Sequence, residues 1–155
     1  MVDCFEIMQP TIMKFGGTSV EGATAFQNAA RIVFERRELQ PVVVVSAMSG
    51  FTDALLESVA VAIRSGPSEG LSHLQKHFDR HGRVIDALLS NEASDMRALV
   101  DQSRNEIGQL LQRAESEVGG DKQRRKYFDD AVVSYGERMS AAMLAPGVRS
   151  ISHTT

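Results

Sequence analysis

The sequence predicts an α/β fold: a βαβ unit, then a helical hairpin and a further helix, with an incomplete sheet. Two short apolar runs flank a helix-period stripe within the first 45 residues, and the later segments keep helical periodicity. Strand, helix and strand in this order predict a parallel pair with a right-handed crossover. Because typical sheets have about 4–6 strands, two strands indicate a truncated α/β layer.

The βαβ unit begins with residues 11–15, an apolar-leaning run that stops at Gly16-Gly17. A helix-period stripe follows, made of Phe26, Ala29, Ala30, Val33 and Phe34. Pro41 then introduces Val42–Val45, four β-branched residues without polar alternation. A strand of this kind is typical of a parallel sheet, so we expect both faces of the sheet to be covered.

Three helical segments follow the second strand. The first covers residues 51–63 and ends at Gly66-Pro67. The next two carry apolar stripes at residues 71–88 and 96–114, and the polar turn Ser90-Asn91-Glu92 joins them. Two such stripes with a short connection predict an antiparallel helical hairpin.

A last helix is predicted beyond the break at Gly119-Gly120-Asp121 and a solvated basic run at residues 122–126. Its apolar side is formed by Phe128, Ala131, Val132, Tyr135, Met139 and Ala142. This helix runs into Pro146-Gly147. We expect the tail at residues 146–155 to offer the sheet at most one further strand.

Composition narrows the function classes. The chain has 155 residues, enough for one domain, and its formal charge of -3 gives no reason to expect nucleic acid or an anionic membrane as partner. No apolar stretch reaches the roughly 20 residues that span a bilayer. Cys4 is the only cysteine, which excludes an internal disulfide and a cysteine-based zinc site. The N-terminal residues lack the pattern of a signal peptide, so we expect a cytoplasmic protein.

The first candidate for chemistry is Lys14-Phe15-Gly16-Gly17-Thr18-Ser19, at the end of the first strand. Two glycines let the backbone come close to a ligand, and their N–H groups can form an anion-binding nest. The N-terminus of the following helix and the Lys14 ammonium add positive charge, which suits a phosphoryl group during its transfer. The alternative is a tight strand-to-helix turn with a surface lysine.

The second candidate is Ser46-Ala47-Met48-Ser49-Gly50-Phe51-Thr52-Asp53, after the second strand. Ligands of open α/β sheets bind beyond the carboxyl ends of strands, and Ser46, Ser49 and Thr52 place hydroxyl and N–H groups there. The alternative is that Ser49 or Thr52 caps the next helix. Because both candidate loops follow parallel strands, we expect them to lie at one sheet edge and face a common cleft.

The third candidate is Ser134-Tyr135-Gly136-Glu137-Arg138-Met139-Ser140, within the last helix. A glycine inside a helix costs about 1 kcal/mol relative to alanine, so Gly136 requires a reason. The close approach of a ligand would supply one, with Glu137 beside it to hold an ammonium group. Tight packing of Gly136 and a solvated Glu137 are the alternative.

Three histidines recur at helical spacing, which permits a row of metal ligands along one helix edge. They are His73, His77 and His81. His81 falls within an apolar stripe and His73 drifts towards solvent, and no carboxylate completes a site. We therefore predict packing at the core edge and no metal site.

The three motifs resemble those of aspartokinases, within the amino acid kinase superfamily, in order and spacing. The resemblance covers about residues 11–145, and its first motif, residues 14–20, is the most specific. It implies an α/β/α sandwich of the amino acid kinase kind, of which residues 1–155 would be a part. A kinase acting on glutamate, carbamate or a nucleotide is the nearest enzymatic alternative, and the first motif argues against it.

The resemblance implies phosphate transfer from ATP with Mg²⁺ to L-aspartate, giving 4-phospho-L-aspartate in lysine, threonine and methionine biosynthesis. Lys14 would be catalytic, stabilising charge on the transferred phosphoryl group. The residues implied for the phosphate and ATP site are Lys14, Phe15, Gly16 and Gly17. The residues implied for aspartate, with Glu137 near its ammonium group, are Ser46, Thr52 and Glu137.

The same resemblance implies parts that this sequence lacks, namely the strands that hold adenine and magnesium and the paired regulatory ACT domains. The alternative function is a non-catalytic half-domain that binds ligand or pairs with a full-length kinase subunit. An unfinished sheet edge also favours self-association.

Overall fold

A computed structural model describes residues 10–89 and 92–152. Its strands and α-helices, in chain order, are β1 (Ile12–Phe15), α1 (Ala23–Glu35), β2 (Val42–Val45), α2 (Phe51–Ser65), α3 (Pro67–His73), α4 (Gln75–Leu88), α5 (Ala93–Glu117) and α6 (Lys122–Ser152). Single 3-10 turns lie at Gly17–Val20 and Arg37–Leu39. The α/β class predicted from the sequence is confirmed.

The two strands form a parallel pair joined by α1, which confirms the βαβ unit. Their register runs from Ile12 opposite Val42 to Phe15 opposite Val45. The Ser46 N–H donates to the Phe15 carbonyl at 3.0 Å, one residue beyond the strand. The ladder therefore carries Ser46 directly into the loop that follows β2.

The described helices cover one face of this sheet and leave the other open. Phe15 and Val45 are buried on the face that α6 packs against. On the opposite face, Ile12, Val42 and Val44 keep 66%, 55% and 47% of their surface exposed. The expectation that both faces are covered is wrong for the described residues, because their helices leave this second face open.

The core centres on α2, which packs against α3, α5 and α6. Leu55, Val59 and Ala62 on this helix have no exposed surface. The predicted end of α2 at Gly66 is confirmed, and the φ of Gly66 is 103°, in a region that favours glycine.

Residues 71–88 form two helices, where the sequence predicts one continuous stripe. The break lies at Leu74, whose N–H donates to the Leu71 carbonyl at 3.1 Å in a 3-10-type bond. Before the break, the absence of a side chain at Gly70 lets α3 pack closely against the backbone of α2. After it, the chain turns so that α4 can pack against α1 and α5.

The predicted antiparallel hairpin corresponds to α4 and α5. Asp86 pairs with Arg97, and Arg104 lies over the ring of Phe78, so sequence positions rise along one helix as they fall along the other. Two residues of the predicted connecting turn, Ser90 and Asn91, lie outside the described residues. The direction of the hairpin is confirmed by the flanking contacts.

The last helix, α6, is longer at both ends than the sequence predicts. Its first turns are the basic run, which is exposed except for the half-buried Arg125, and Asp121 caps them by accepting from the Gln123 and Arg124 N–H groups at 2.8 and 3.2 Å. At the other end, α6 continues through Pro146 because tertiary packing holds it there. Gly147 packs against Ala30 and Leu89: a Cβ at this position would lie 3.7 Å from the Ala30 Cβ and 3.9 Å from the Leu89 Cδ2.

The tail therefore adds no strand up to residue 152, and residues 153–155 lie outside the described part. Among the described helices, none is both long and apolar enough to cross a membrane.

Two helical glycines give matched substitutions with opposite expected signs. A Cβ at Gly70 would lie 2.6 Å from the Ser58 carbonyl oxygen and 2.9 Å from the Ala62 Cβ, whereas a Cβ at Gly82 meets nothing within 4 Å. We expect Gly70→Ala to lower the free energy of unfolding by about 1–3 kcal/mol through overpacking. Gly82→Ala should raise it by about 0.5–1 kcal/mol through helix propensity.

Urea unfolding of both variants measures these changes. If Gly70→Ala is as stable as the unmodified chain, the close α2–α3 contact is wrong.

Candidate active site

The loops that follow β1 and β2 touch each other through their backbones. The Ser49 N–H donates to the Gly17 carbonyl at 3.2 Å. A Cβ at Gly17 would lie 2.9 Å from the Ala47 carbonyl oxygen and 3.2 Å from the Ser49 nitrogen. The expectation that both loops lie at one sheet edge is confirmed, and the missing side chain of Gly17 is what lets them meet.

The two glycines of the first motif differ in their surroundings. Gly17 is packed against the second loop, so its small size has a structural reason. Gly16 is only half-buried, and a Cβ there would meet only the Lys14 Nζ, at 3.7 Å. The Lys14 ammonium therefore lies close to the turn, on the exposed face of β1, and the Gly16 side of the turn is the part open to an anion.

The α-helix expected directly after this turn begins later. A 3-10 turn occupies Gly17–Val20, and α1 starts only at Ala23. The chain needs these residues to leave the sheet edge before α1 can run back along it. The helix N-terminus at the glycine turn is therefore that of a 3-10 turn, and the α-helix begins six residues later.

Ser46 and Thr52 flank the second loop and are both half-buried. The N-cap of α2 is Gly50, with φ 73°, and none of the described side chains caps the helix. The capping interpretation of Ser49 and Thr52 is therefore wrong. Ser46 is positioned by the ladder, and Thr52 by the first turn of α2.

The third motif contacts the second through Gly136. A Cβ at Gly136 would lie 2.5 Å from the Ala47 Cβ and 3.7 Å from the Leu55 Cδ1. Tight packing thus explains why Gly136 is glycine. Glu137 follows it on the exposed side of α6. Ala47 therefore lies between the glycines of the first and third motifs, and the structure brings all three motifs together.

A cluster of aromatic and histidine rings packs next to the second loop. Phe51, the first residue of α2, stacks on His77 at 5.2 Å between ring centroids and lies 5.1 Å from His81. His81 Nδ1 donates to the His77 carbonyl at 2.7 Å, and its buried Nε2 has no hydrogen-bond partner within the part of the chain that the structure describes. His73 is exposed. Packing at the core edge is confirmed for His77 and His81.

Burial sets the charge of both histidines. Desolvation lowers the pKa of His81 to about 4, with further lowering by Arg80, against a smaller opposite effect of the hydrogen bond to the His77 carbonyl. Desolvation, then Arg80, lowers the pKa of His77 to about 4. Both rings are therefore neutral near pH 7. Within the described residues, no three His, Cys, Asp or Glu side chains group closely enough to hold a metal.

Sequence reasoning missed one polar contact of the second loop. Arg80 Nη2 donates to the Ser49 carbonyl at 2.8 Å. These residues lie 31 positions apart, and Arg80 belongs to a helix rich in charged side chains, so no local pattern identifies it.

Substitution of Gly136 tests the junction of the motifs. We expect Gly136→Ala to lower the free energy of unfolding by about 1–3 kcal/mol, because the new methyl group must displace Ala47. The backbone amide signals of Ser46, Ala47 and Met48 should shift in NMR spectra. Gly108→Ala is the control, because a Cβ there meets Leu71 Cδ2 at an ordinary 3.5 Å. Unshifted loop amides in Gly136→Ala would contradict the contact.

The buried histidines predict a loss of stability in acid. With a pKa of about 4 for His81 in the folded chain and about 6.5 when unfolded, the unfolded state binds more protons between these values. The neutral His81 ring therefore contributes fully to the free energy of unfolding above pH 6.5, and this contribution is lost as the pH falls towards 4. Urea unfolding between pH 7.5 and 4.5 measures how steeply the free energy of unfolding falls with pH. We expect this slope to be smaller in His81→Gln.

The exposed His73→Gln substitution controls for the loss of a histidine as such. An equal slope in His81→Gln and in the unmodified chain would show that His81 is not the group responsible.

The amino acid kinase family matches residues 9–155 of this chain. Two plant relatives from Arabidopsis thaliana are similar over most of it. Bifunctional aspartokinase/homoserine dehydrogenase 1, chloroplastic, is 33% identical over 139 residues, which are 89% of this chain and 15% of that protein. Aspartokinase 2, chloroplastic, is 27% identical over 144 residues, which are 92% of this chain and 25% of that protein.

The fold is similar to that of E. coli aspartokinase III in complex with aspartate and ADP. The TM-score is 0.75 at 26% identity, covering 93% of this chain and 30% of that one. The chain spans between 15% and 30% of the length of these relatives. By sequence and structure the chain belongs to the amino acid kinase family, and the relatives that it matches there are aspartokinases.

Proposed function

We propose that this chain forms the phosphate-contacting and aspartate-contacting part of an aspartate kinase. The reaction would transfer the terminal phosphate of ATP to the side-chain carboxylate of L-aspartate, giving ADP and 4-phospho-L-aspartate. The pathway to lysine, threonine and methionine belongs to this proposal. The cytoplasmic location expected from the sequence stays a prediction, and the two plant relatives are named as chloroplast proteins.

The observation that carries this proposal is the convergence of the three motifs on Ala47. Gly17 on one side and Gly136 on the other lie so close to Ala47 that neither site has room for a Cβ. The motifs that meet at Ala47 carry a cation, a glycine turn, hydroxyl groups and a carboxylate, which supports the proposal. These are the groups that a reaction between a phosphate and a zwitterionic amino acid requires.

The proposed reaction does not require a strong general base. The aspartate side-chain carboxylate is already a nucleophile, so catalysis depends on positioning and on stabilising charge. Lys14 Nζ, beside the open Gly16, would stabilise the transferred phosphoryl group, with Phe15 and Gly17 fixing the turn. Ser46 and Thr52 would contact the amino acid.

Glu137 would complete aspartate recognition. Its carboxylate is exposed on α6, one position after the glycine that fixes α6 against the second loop. A carboxylate there suits the α-ammonium group of an amino acid.

Magnesium would accompany ATP, because it neutralises phosphate charge in phosphoryl transfer. The described residues contain no group of three acidic, histidine or cysteine side chains that fits a metal. No ligand to magnesium is therefore assigned to this part of the chain.

One feature favours the second candidate, a non-catalytic half-domain that binds ligand or pairs with a kinase subunit. The open sheet face exposes Ile12, Val42 and Val44, a contiguous apolar surface that a partner could cover. Sedimentation analysis separates the candidates in part, since a compact monomer at high concentration argues against pairing between copies.

Ligand titration followed by NMR tests the main proposal. We expect L-aspartate to shift the amide signals of Ser46 and Thr52, and ATP to shift those of Gly16 and Gly17. In the same titration, Lys14→Ala should weaken the affinity for ATP at least about tenfold, because one charge-assisted contact is lost. Lys126→Ala removes an exposed lysine on α6 and is the control. Shifts with glutamate and none with aspartate would point to another amino acid kinase.

Acyl-phosphate formation is the second measurement. Hydroxylamine traps 4-phospho-aspartate as a hydroxamate in the presence of ATP, magnesium and aspartate. Hydroxamate that appears with the unmodified chain and vanishes in Lys14→Ala would establish a working kinase. Neither ligand shifts nor hydroxamate from a folded chain would overturn the proposal and favour the half-domain.

A further inference from the structure

The junction between the two loops depends on one peptide unit. The N–H of Ser49 donates to the Gly17 carbonyl at 3.2 Å, which ties the second loop to the glycine turn. The carbonyl of the same residue accepts from Arg80 Nη2 at 2.8 Å. Ser49 is thus held on one side by the first motif and on the other by a charged side chain from α4.

Arg80 is itself held in place. Its Nη2 lies 3.2 Å from His77 Nδ1, and the neutral imidazole can accept this bond because burial and Arg80 lower the pKa of His77. The His77 ring stacks on Phe51, which begins α2 directly after the loop. The guanidinium is therefore held between the Ser49 carbonyl, just before α2, and the His77 ring of its own helix, and it is only half-exposed.

The surroundings of Arg80 act on its charge in opposite directions. Burial lowers the pKa of Arg80, and the negative charge of Glu21, directly after the 3-10 turn at Gly17–Val20, raises it. No other described arginine donates to either candidate loop.

We propose that Arg80 is a positioning residue that holds the second loop against the glycine turn. By fixing Ser49, it holds the segment between Ser46 and the aspartate-contacting Thr52 against the phosphate turn. The naming of these two ligand sites rests on the proposed function. The loop-holding role rests only on the contacts of Arg80.

An arginine suits this role better than a lysine. Both bonds come from Nη2, and the planar guanidinium fixes the directions of its two hydrogens relative to each other, so one nitrogen can bond the Ser49 carbonyl and the His77 ring together. A lysine ammonium is a point charge on a flexible stem, and it would keep the Ser49 bond at greater entropic cost. The conservative substitution should therefore rescue the contact only in part.

Amide hydrogen exchange in the ligand-free chain tests the holding role. We expect Arg80→Ala to reduce the protection of the Ser49 amide at least about tenfold, since a charge-assisted hydrogen bond is lost. The amide of Leu111, in the core of α5, should change little. In Arg80→Lys, the protection of the Ser49 amide should lie between the values of Arg80→Ala and of the unmodified chain. Arg83→Ala, which removes an exposed arginine from the same helix, is the matched control.

A general effect on stability would look different. Equal losses of protection at Ser49 and Leu111 in both Arg80 variants would overturn the proposal, as would unchanged protection at Ser49. If Arg80→Ala does not fold, Arg80→Lys alone decides by the same comparison of Ser49 with Leu111.

Ligand affinity forms the second arm. In an unmodified chain that binds L-aspartate, Arg80→Ala should weaken this binding at least about fivefold, and Arg83→Ala should leave it unchanged. Unweakened binding in Arg80→Ala would overturn the link between the loop and the site. If the unmodified chain binds no aspartate while Ser49 loses protection in Arg80→Ala, the proposed function fails and the holding role of Arg80 is supported.

Discussion

The structure depends on the packing of Ala47 between two glycines. Gly17 approaches it from the first loop and Gly136 from α6, and both contacts are too close for any side chain. Interiors are packed at the density of organic crystals, so such contacts leave little freedom for relative movement. The sheet edge, the second loop and the last helix are therefore fixed relative to one another by backbone proximity. The backbone positions that carry the polar side chains of the three motifs are therefore fixed as well.

Much of the fold could be predicted because its signals are local. Glycine turns, the apolar run Val42–Val45 and the helical stripes place both strands and most helix boundaries within a few residues. The break at Leu74 and the continuation through Pro146 could not be predicted, because each depends on contacts with distant elements. Gly70 meets α2, and Gly147 meets Ala30 and Leu89. In both places tertiary packing overrides the local preference.

The candidate site divides in the same way. The meeting of the first two motifs was predictable, since parallel strands end at one sheet edge, whereas the contact of the third motif on α6 with Ala47 depends on tertiary packing. The reason for each glycine was not predictable, because the sequence cannot distinguish contact with a ligand from contact with Ala47. Arg80 is the clearest omission. It reaches Ser49 from a helix whose pattern reports only its amphipathic character, so only the fold reveals the contact.

The order of the chain has a consequence for how the site is assembled. The two loops belong to a compact βαβ unit near the start, whereas Gly136 lies almost at the end of the described residues. Contacts between distant positions close slowly, because the loop entropy is lost before the contact stabilises the structure. The glycine turn and the second loop can meet before α6 has formed, whereas the contact of Ala47 with Gly136 cannot. The junction of the motifs is therefore completed by the contact that spans the longest stretch of chain.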